Sequence, residues 1–153
     1  MQLSIQNYLP HTTPMLMVDI ILTICQQEVK THFFISEKNI FLQDHYLSEI
    51  GLIENAAQTC SAISGQYYFD ENDIENCAQN PTLLGYISTL KKVKIYQLPK
   101  VNTIITTHAQ LISHTQNESY SICILKVVVF HQDTLFLEGE MNLFLENKAY
   151  EKE

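Results

Sequence analysis

Ser48-Glu49-Ile50-Gly51-Leu52-Ile53-Glu54-Asn55-Ala56-Ala57-Gln58-Thr59-Cys60-Ser61-Ala62-Ile63-Ser64 is the stretch that decides the fold of this chain. Ser48 is a good N-cap, because its hydroxyl can accept one of the unpaired amides of a first helical turn. Glu49 sets negative charge in that turn, where the helix dipole favours it. Ile53, Ala56, Ala57, Cys60 and Ile63, with Ser64, recur at helical spacing and define a face of small residues suited to close packing. One long helix is predicted, ending at Gly65 or extended a turn by Gln66-Tyr67-Tyr68-Phe69.

On either side of this helix the pattern is that of strands. Ser4 can cap a short helix that stops before Pro10. Residues 15–25 and 29–35 are rich in β-branched and apolar residues and read as two strands, turning near Gln26-Gln27. Residues 70–81 are polar and broken and read as a loop. Four strand-like runs follow at 83–97, 103–113, 119–130 and 134–146, with a turn at Leu98-Pro99-Lys100-Val101-Asn102. The last run alternates cleanly: Leu135, Leu137, Met141, Leu143 and Leu145 face one way, and Phe136, Glu138, Glu140 and Asn142 the other. The order is short helix, two strands, long helix, four strands. Its class is α+β with a mainly antiparallel sheet.

Composition narrows the function. The 153 residues fit a single domain over 1–153, with 46% hydrophobic and 17% charged residues, an ordinary globular balance. No apolar run approaches the roughly 20 residues that cross a bilayer. The start, Met1-Gln2-Leu3-Ser4, lacks the features of a secretory signal, so a cytoplasmic protein is expected. Cys25, Cys60, Cys77 and Cys123 are scattered and read as reduced structural thiols. Six dispersed histidines show no i, i+4 pair, so no metal site is expected. The net charge is −8 and all nine cations are lysines, which argues against nucleic acid as a partner. Lys91, Lys92, Lys94 and Lys100 form the one local concentration of positive charge.

Chemistry-bearing residues gather at the entry to the long helix. Phe41-Leu42-Gln43-Asp44-His45-Tyr46 precedes Gly51-Leu52-Ile53-Glu54-Asn55-Ala56-Ala57-Gln58. Histidine can accept a proton near neutral pH, a helix start offers unpaired amides to an oxyanion, and a sheltered carboxyl group can donate a proton. With Leu9-Pro10-His11-Thr12-Thr13-Pro14-Met15-Leu16-Met17-Val18-Asp19 upstream, the chain resembles the hotdog-fold 3-hydroxyacyl-[acyl carrier protein] dehydratases. Their patterns F-F-x-G-H-F, P-G-V-L-x-x-E-x-x-A-Q and L-P-H-R-x-P-F-L-L-V-D are matched around His45, from Gly51 to Gln58, and from Leu9 to Asp19 with Thr12 for arginine. Only Tyr46-Leu47-Ser48-Glu49-Ile50 separates His45 from Gly51, without proline. That short link looks closest to the small stand-alone relatives of aryl polyene and flexirubin-type pigment assembly.

The resemblance implies a curved antiparallel sheet wrapped around one long central helix. It implies His45 as the base that takes the proton beside the thioester carbonyl, and Glu54 as the acid that protonates the leaving hydroxyl. Gly51 would offer its amide to the carbonyl oxygen. Gln58, one turn after Glu54, could orient the carboxyl group. No cofactor is implied. The implied partners are acyl carrier protein, with Lys91, Lys92 and Lys94 as its landing place, and a second subunit, since histidine and acid come from opposite chains. That subunit is a second copy in a homodimer or higher homo-oligomer, or a different hotdog chain. Without the resemblance, the lysines read as a wetted strand face, Asp44 as a solvated carboxylate, and His11, His32, His108 and His131 as structural. A non-catalytic hotdog subunit that binds acyl chains, and an acyl thioesterase using Glu54 alone, are the competing functions.

Overall fold

Ser48 starts the helix as predicted. Its carbonyl accepts the Leu52 amide at 3.0 Å and its hydroxyl the Gly51 amide at 3.4 Å, and helix α1 runs Glu49–Ser64. The computed structural model describes residues 3–64 and 83–147. The predicted end at Gly65, its extension to Phe69, the 70–81 loop and Cys77 lie outside the described residues. From Asn55 to Cys60 every residue of α1 is buried, polar ones included. The small-residue face is therefore only half of the helix's contact: the sheet covers one side and the amino-terminal arm another.

The sheet has six antiparallel strands in the order β1-β2-β6-β7-β8-β5. They are β1 (Ile20–Ile24), β2 (Glu28–Phe34), β5 (Leu83–Ile95), β6 (Ile104–Gln116), β7 (Tyr120–His131) and β8 (Thr134–Asn147). Strands β2, β5, β6, β7 and β8 all pack on the helix. Register shifts interrupt the β1–β2, β5–β8, β6–β7 and β7–β8 ladders, and such bulges bend strands and raise twist. The result is a sheet curved around helix α1, the hotdog arrangement. One bulge corrects the reading of the last strand. Phe130 pairs with Leu135 and Val129 with Leu137, so Phe136 is the extra residue between them and is buried beside Leu137 instead of facing outward.

Two elements differ from expectation at the amino terminus. The short helix is a single 3-10 turn, Ile5–Asn7, because the Ser4 hydroxyl bonds the Gln6 side chain at 2.8 Å and caps no backbone amide. The first strand begins at Ile20 and not at Met15. The Met15 and Leu16 amides turn back to the Thr12 carbonyl, the Met17 amide donates to Gln58 Oε1 at 2.7 Å and the Met17 carbonyl accepts from Asn55 Nδ2 at 2.6 Å. A local turn and helix side chains thus take up this backbone until the Asp19 amide donates to the His32 carbonyl of β2.

A hairpin absent from the sequence reading stands before the helix: β3 (Leu42–Gln43) and β4 (Tyr46–Leu47), closed by Asp44 and His45 with φ of 51° and 70°. Two successive left-handed residues make the type I′ turn that matches strand twist, normally signalled by Asn-Gly. The hairpin is pinned to the β5–β6 connection, where Leu47 donates to the Pro99 carbonyl and Val101 to the His45 carbonyl, both at 2.9 Å. Among the described residues no helix is long and apolar enough to cross a membrane. Cys60 and Cys123 are buried, and burial, with Cys123 nearby, pushes the Cys60 thiol far above its ordinary range.

Candidate active site

The one-turn spacing of Glu54 and Gln58 puts both side chains on the same flank of α1, facing the end of the sheet where edge strand β5 pairs with β8. A groove of about 260 Å³ opens there. Helix residues Glu54, Ala57, Gln58 and Ser61 form one wall, and Gly85 to Ile87 and Leu143 to Leu145 form the other. Tyr86 and Phe144 are register partners whose rings stack at 5.2 Å.

Gln58 is buried and all of its hydrogen-bonding groups are used. Its Oε1 accepts the Met17 amide, and its Nε2 donates to the Met15 carbonyl at 2.9 Å and to Glu54 Oε1 at 2.7 Å. The expected orienting bond to Glu54 is present, and the same residue ties down the arm. Asn55 completes the fastening: its Nδ2 donates to the Met17 carbonyl, and its Oδ1 accepts from the Thr107 hydroxyl of β6 at 2.5 Å. Spacing of apolar residues could not reveal this network, because Asn55, Gln58 and Thr59 are polar yet buried. Met17 Sδ also accepts from Asn39 at 3.2 Å. Asp19, at the arm's end, accepts the Phe34 amide at 2.7 Å; burial pushes its carboxyl pKa up and that amide opposes the shift.

The other expected residues stand elsewhere. His45 is exposed at the hairpin tip and does not line the groove of its own chain. Gly51 is buried under the hairpin, its amide turned to the Ser48 hydroxyl. A Cβ there would lie 2.5 Å from Leu47 Cδ1 and 2.8 Å from Phe41 Cβ. Close packing alone thus demands glycine. Gly51→Ala is expected to destabilise the fold by about 1–2 kcal/mol, since overpacking outweighs the helix-propensity gain, and a lower denaturation midpoint would report it. Lys91, Lys92 and Lys94 are exposed around the β5 bulge, with Lys91 opposite Glu140 and Lys94 opposite Glu138. Lys92, with φ of 52°, occupies the bulge itself.

His11 was not expected here. It lines the groove, and its Nε2 lies 4.0 Å from Glu54 Oε1. Burial lowers its pKa below the ordinary 6.5, and the Glu54 charge opposes that shift. The two residues are far apart in sequence and meet only because the arm docks on the helix. No periodicity carries that signal. Among the described residues no three metal-ligating side chains come together.

The arrangement is a carboxyl group held at one oxygen beside a mainly apolar groove, with an imidazole near it. It suits proton transfer to or from an extended apolar substrate. The profile of the ApeP-like family, described as ApeP dehydratase, matches residues 3–152. No curated protein sequence matches the chain. Among solved structures, the dehydratase heterocomplex ApeI:P of Xenorhabdus doucetiae is similar at 19% identity, over 96% of this chain and 93% of that chain, with a TM-score of 0.78. Cj0977, a sigma28-regulated virulence protein of Campylobacter jejuni, is similar at 14% identity over 92% and 94%, with a TM-score of 0.62. A mutant of the thioesterase SAV0944 of Staphylococcus aureus is similar at 12% identity over 82% and 91%, with a TM-score of 0.60. At these identities the structures attest the shared fold.

Proposed function

The chain belongs to the ApeP-like dehydratase family, and from that premise we propose that it takes part in removing water from a 3-hydroxyacyl thioester carried by acyl carrier protein, yielding the trans-2-enoyl thioester. One observation carries the reading: Glu54 lines the groove with its Oε1 held by Gln58 at 2.7 Å. A carboxyl group fixed at one oxygen has the other to offer the substrate hydroxyl. In this reading Glu54 gives its proton to that hydroxyl, the C–O bond breaks, and water leaves. The electrons of the neighbouring C–H bond form the double bond, and the proton passes to a base.

His45 is that base in the reading, acting in the groove of a second subunit, since it lies outside the groove of its own chain. Exposed Ile40, Tyr46 and Ile50 around the hairpin support a contact surface there. The Gly51 amide can serve the substrate carbonyl if the Ser48 hydroxyl gives it up, and a 3.4 Å contact is weak enough to yield. The acyl chain follows Ala57, Ile87, Leu143 and Leu145 beside the helix. Lys91, Lys92 and Lys94 lie on the same strand as Gly85 and Tyr86 of the groove, which suits an acidic carrier protein delivering the thioester.

The test is subunit complementation. His45→Gly removes the imidazole at a left-handed position that glycine tolerates. His45→Gly and Glu54→Gln chains are expected to be inactive separately and to regain turnover when refolded together, if two copies build the site. Wild-type turnover that appears only with a different hotdog chain would mean a heteromeric site; the Xenorhabdus dehydratase similar to this chain is a heterocomplex. Undiminished turnover by His45→Gly would remove His45 from the reaction. A second reading, a non-catalytic subunit, draws on the same two facts: His45 outside the groove and the Gly51 amide already capped. It predicts that Glu54→Gln leaves the activity of the assembled heteromer unchanged.

A further inference from the structure

Gln58 connects two things that the reaction scheme treats separately: the amino-terminal arm, through Met15 and Met17, and the Glu54 carboxyl group. The arm carries His11 into the groove, with Nε2 4.0 Å from Glu54 Oε1. Its Nδ1 is buried and finds no hydrogen-bond partner among the described residues. We propose that His11 is a positioning residue for Glu54, its Nε2–H supporting the carboxyl group from the arm while Gln58 holds it from the helix. The kinetic part of this inference rests on the dehydratase reading; the pairing itself does not.

The tautomer follows from the surroundings. A proton on Nδ1 would bury an unpaired N–H and turn the Nε2 lone pair toward the lone pairs of Glu54 Oε1. A proton on Nε2 avoids that repulsion and gives the oxygen that Gln58 also holds a second donor, leaving the other oxygen for the proton that Glu54 transfers. At 4.0 Å the contact is too long for a hydrogen bond. It needs to shorten by about 1 Å, as catalytic contacts do when substrate closes a site. The ring is suited to the task because it is neutral at pH 7: burial disfavours its charged form. Glu54 and Tyr86 are the other ionisable groups lining the groove.

Two measurements on the folded full chain test the pairing. Nitrogen NMR of the imidazoles, with His11→Gln to assign the signal, is expected to find His11 protonated on Nε2 at neutral pH. Its titration midpoint should fall further in Glu54→Gln, where no carboxylate favours the imidazolium. In turnover, His11→Leu should lose about 10-fold or more in kcat with little change in KM. His11→Gln, whose amide can donate a hydrogen bond, should recover most of that loss. A midpoint indifferent to Glu54→Gln overturns the proposal, as does wild-type kcat in His11→Leu. Coupled titration in a protein that dehydrates nothing, with or without a hotdog partner, would leave the pairing standing and remove the dehydratase reading.

Discussion

Glu54→Gln is expected to lower dehydration by about 100- to 10,000-fold, the range a positioned general acid contributes. The substitution is suited to isolating chemistry from folding. The glutamine carbonyl can still accept the Gln58 Nε2 bond made now by Oε1, so the helix and its contacts with the arm stay in place. What disappears is the ability to hand over a proton. Thermal unfolding of the variant should match wild type while steady-state turnover collapses. Equal losses of both would mean that Glu54 serves the fold and not the reaction.

Gln58→Leu should have the largest effect on stability, about 3 kcal/mol, read as a lower denaturant midpoint at unchanged m-value. Leucine fills the volume but strands the buried Met17 amide and the Met15 carbonyl, and it frees the Glu54 carboxyl group. Each buried polar group left unpaired costs about 1–3 kcal/mol. Gln58→Glu should be gentler on the Met17 amide, because a carboxylate oxygen still accepts from it. It would put a second carboxylate beside Glu54, with no N–H to donate to it. The two variants therefore separate loss of the arm from loss of orientation.

The helix was legible in the sequence because its cap and its small residues repeat over sixteen positions, and the strand order because apolar runs and turns alternate along the second half. Glu54 and Gln58 were legible as a pair because one-turn spacing is a local property. What required the structure is non-local. The Asp44-His45 turn has the I′ backbone without the Asn-Gly that announces it. Residues 15–19 have strand composition, yet Asn55 and Gln58 capture the backbone of Met15 and Met17 before a neighbouring strand can. Phe136 is turned inward by a bulge that alternation cannot foresee. His11 reaches Glu54 only through the docking of that arm. The arm and His11 differ from the sequence pattern because side chains outcompete a strand ladder for backbone groups, and Phe136 because a ladder gains a residue.

In the proposed role, this chain contributes to a site that removes water from a carrier-bound 3-hydroxyacyl thioester. The decisive experiment is mass spectrometry of 3-hydroxyacyl-[acyl carrier protein] incubated with the wild-type chain alone and with an added hotdog subunit. The predicted result is a carrier-bound product lighter by one water in at least one of the two mixtures, and absent when Glu54→Gln replaces wild type. A hydroxyacyl chain left intact in both mixtures, or released as free acid, would contradict it.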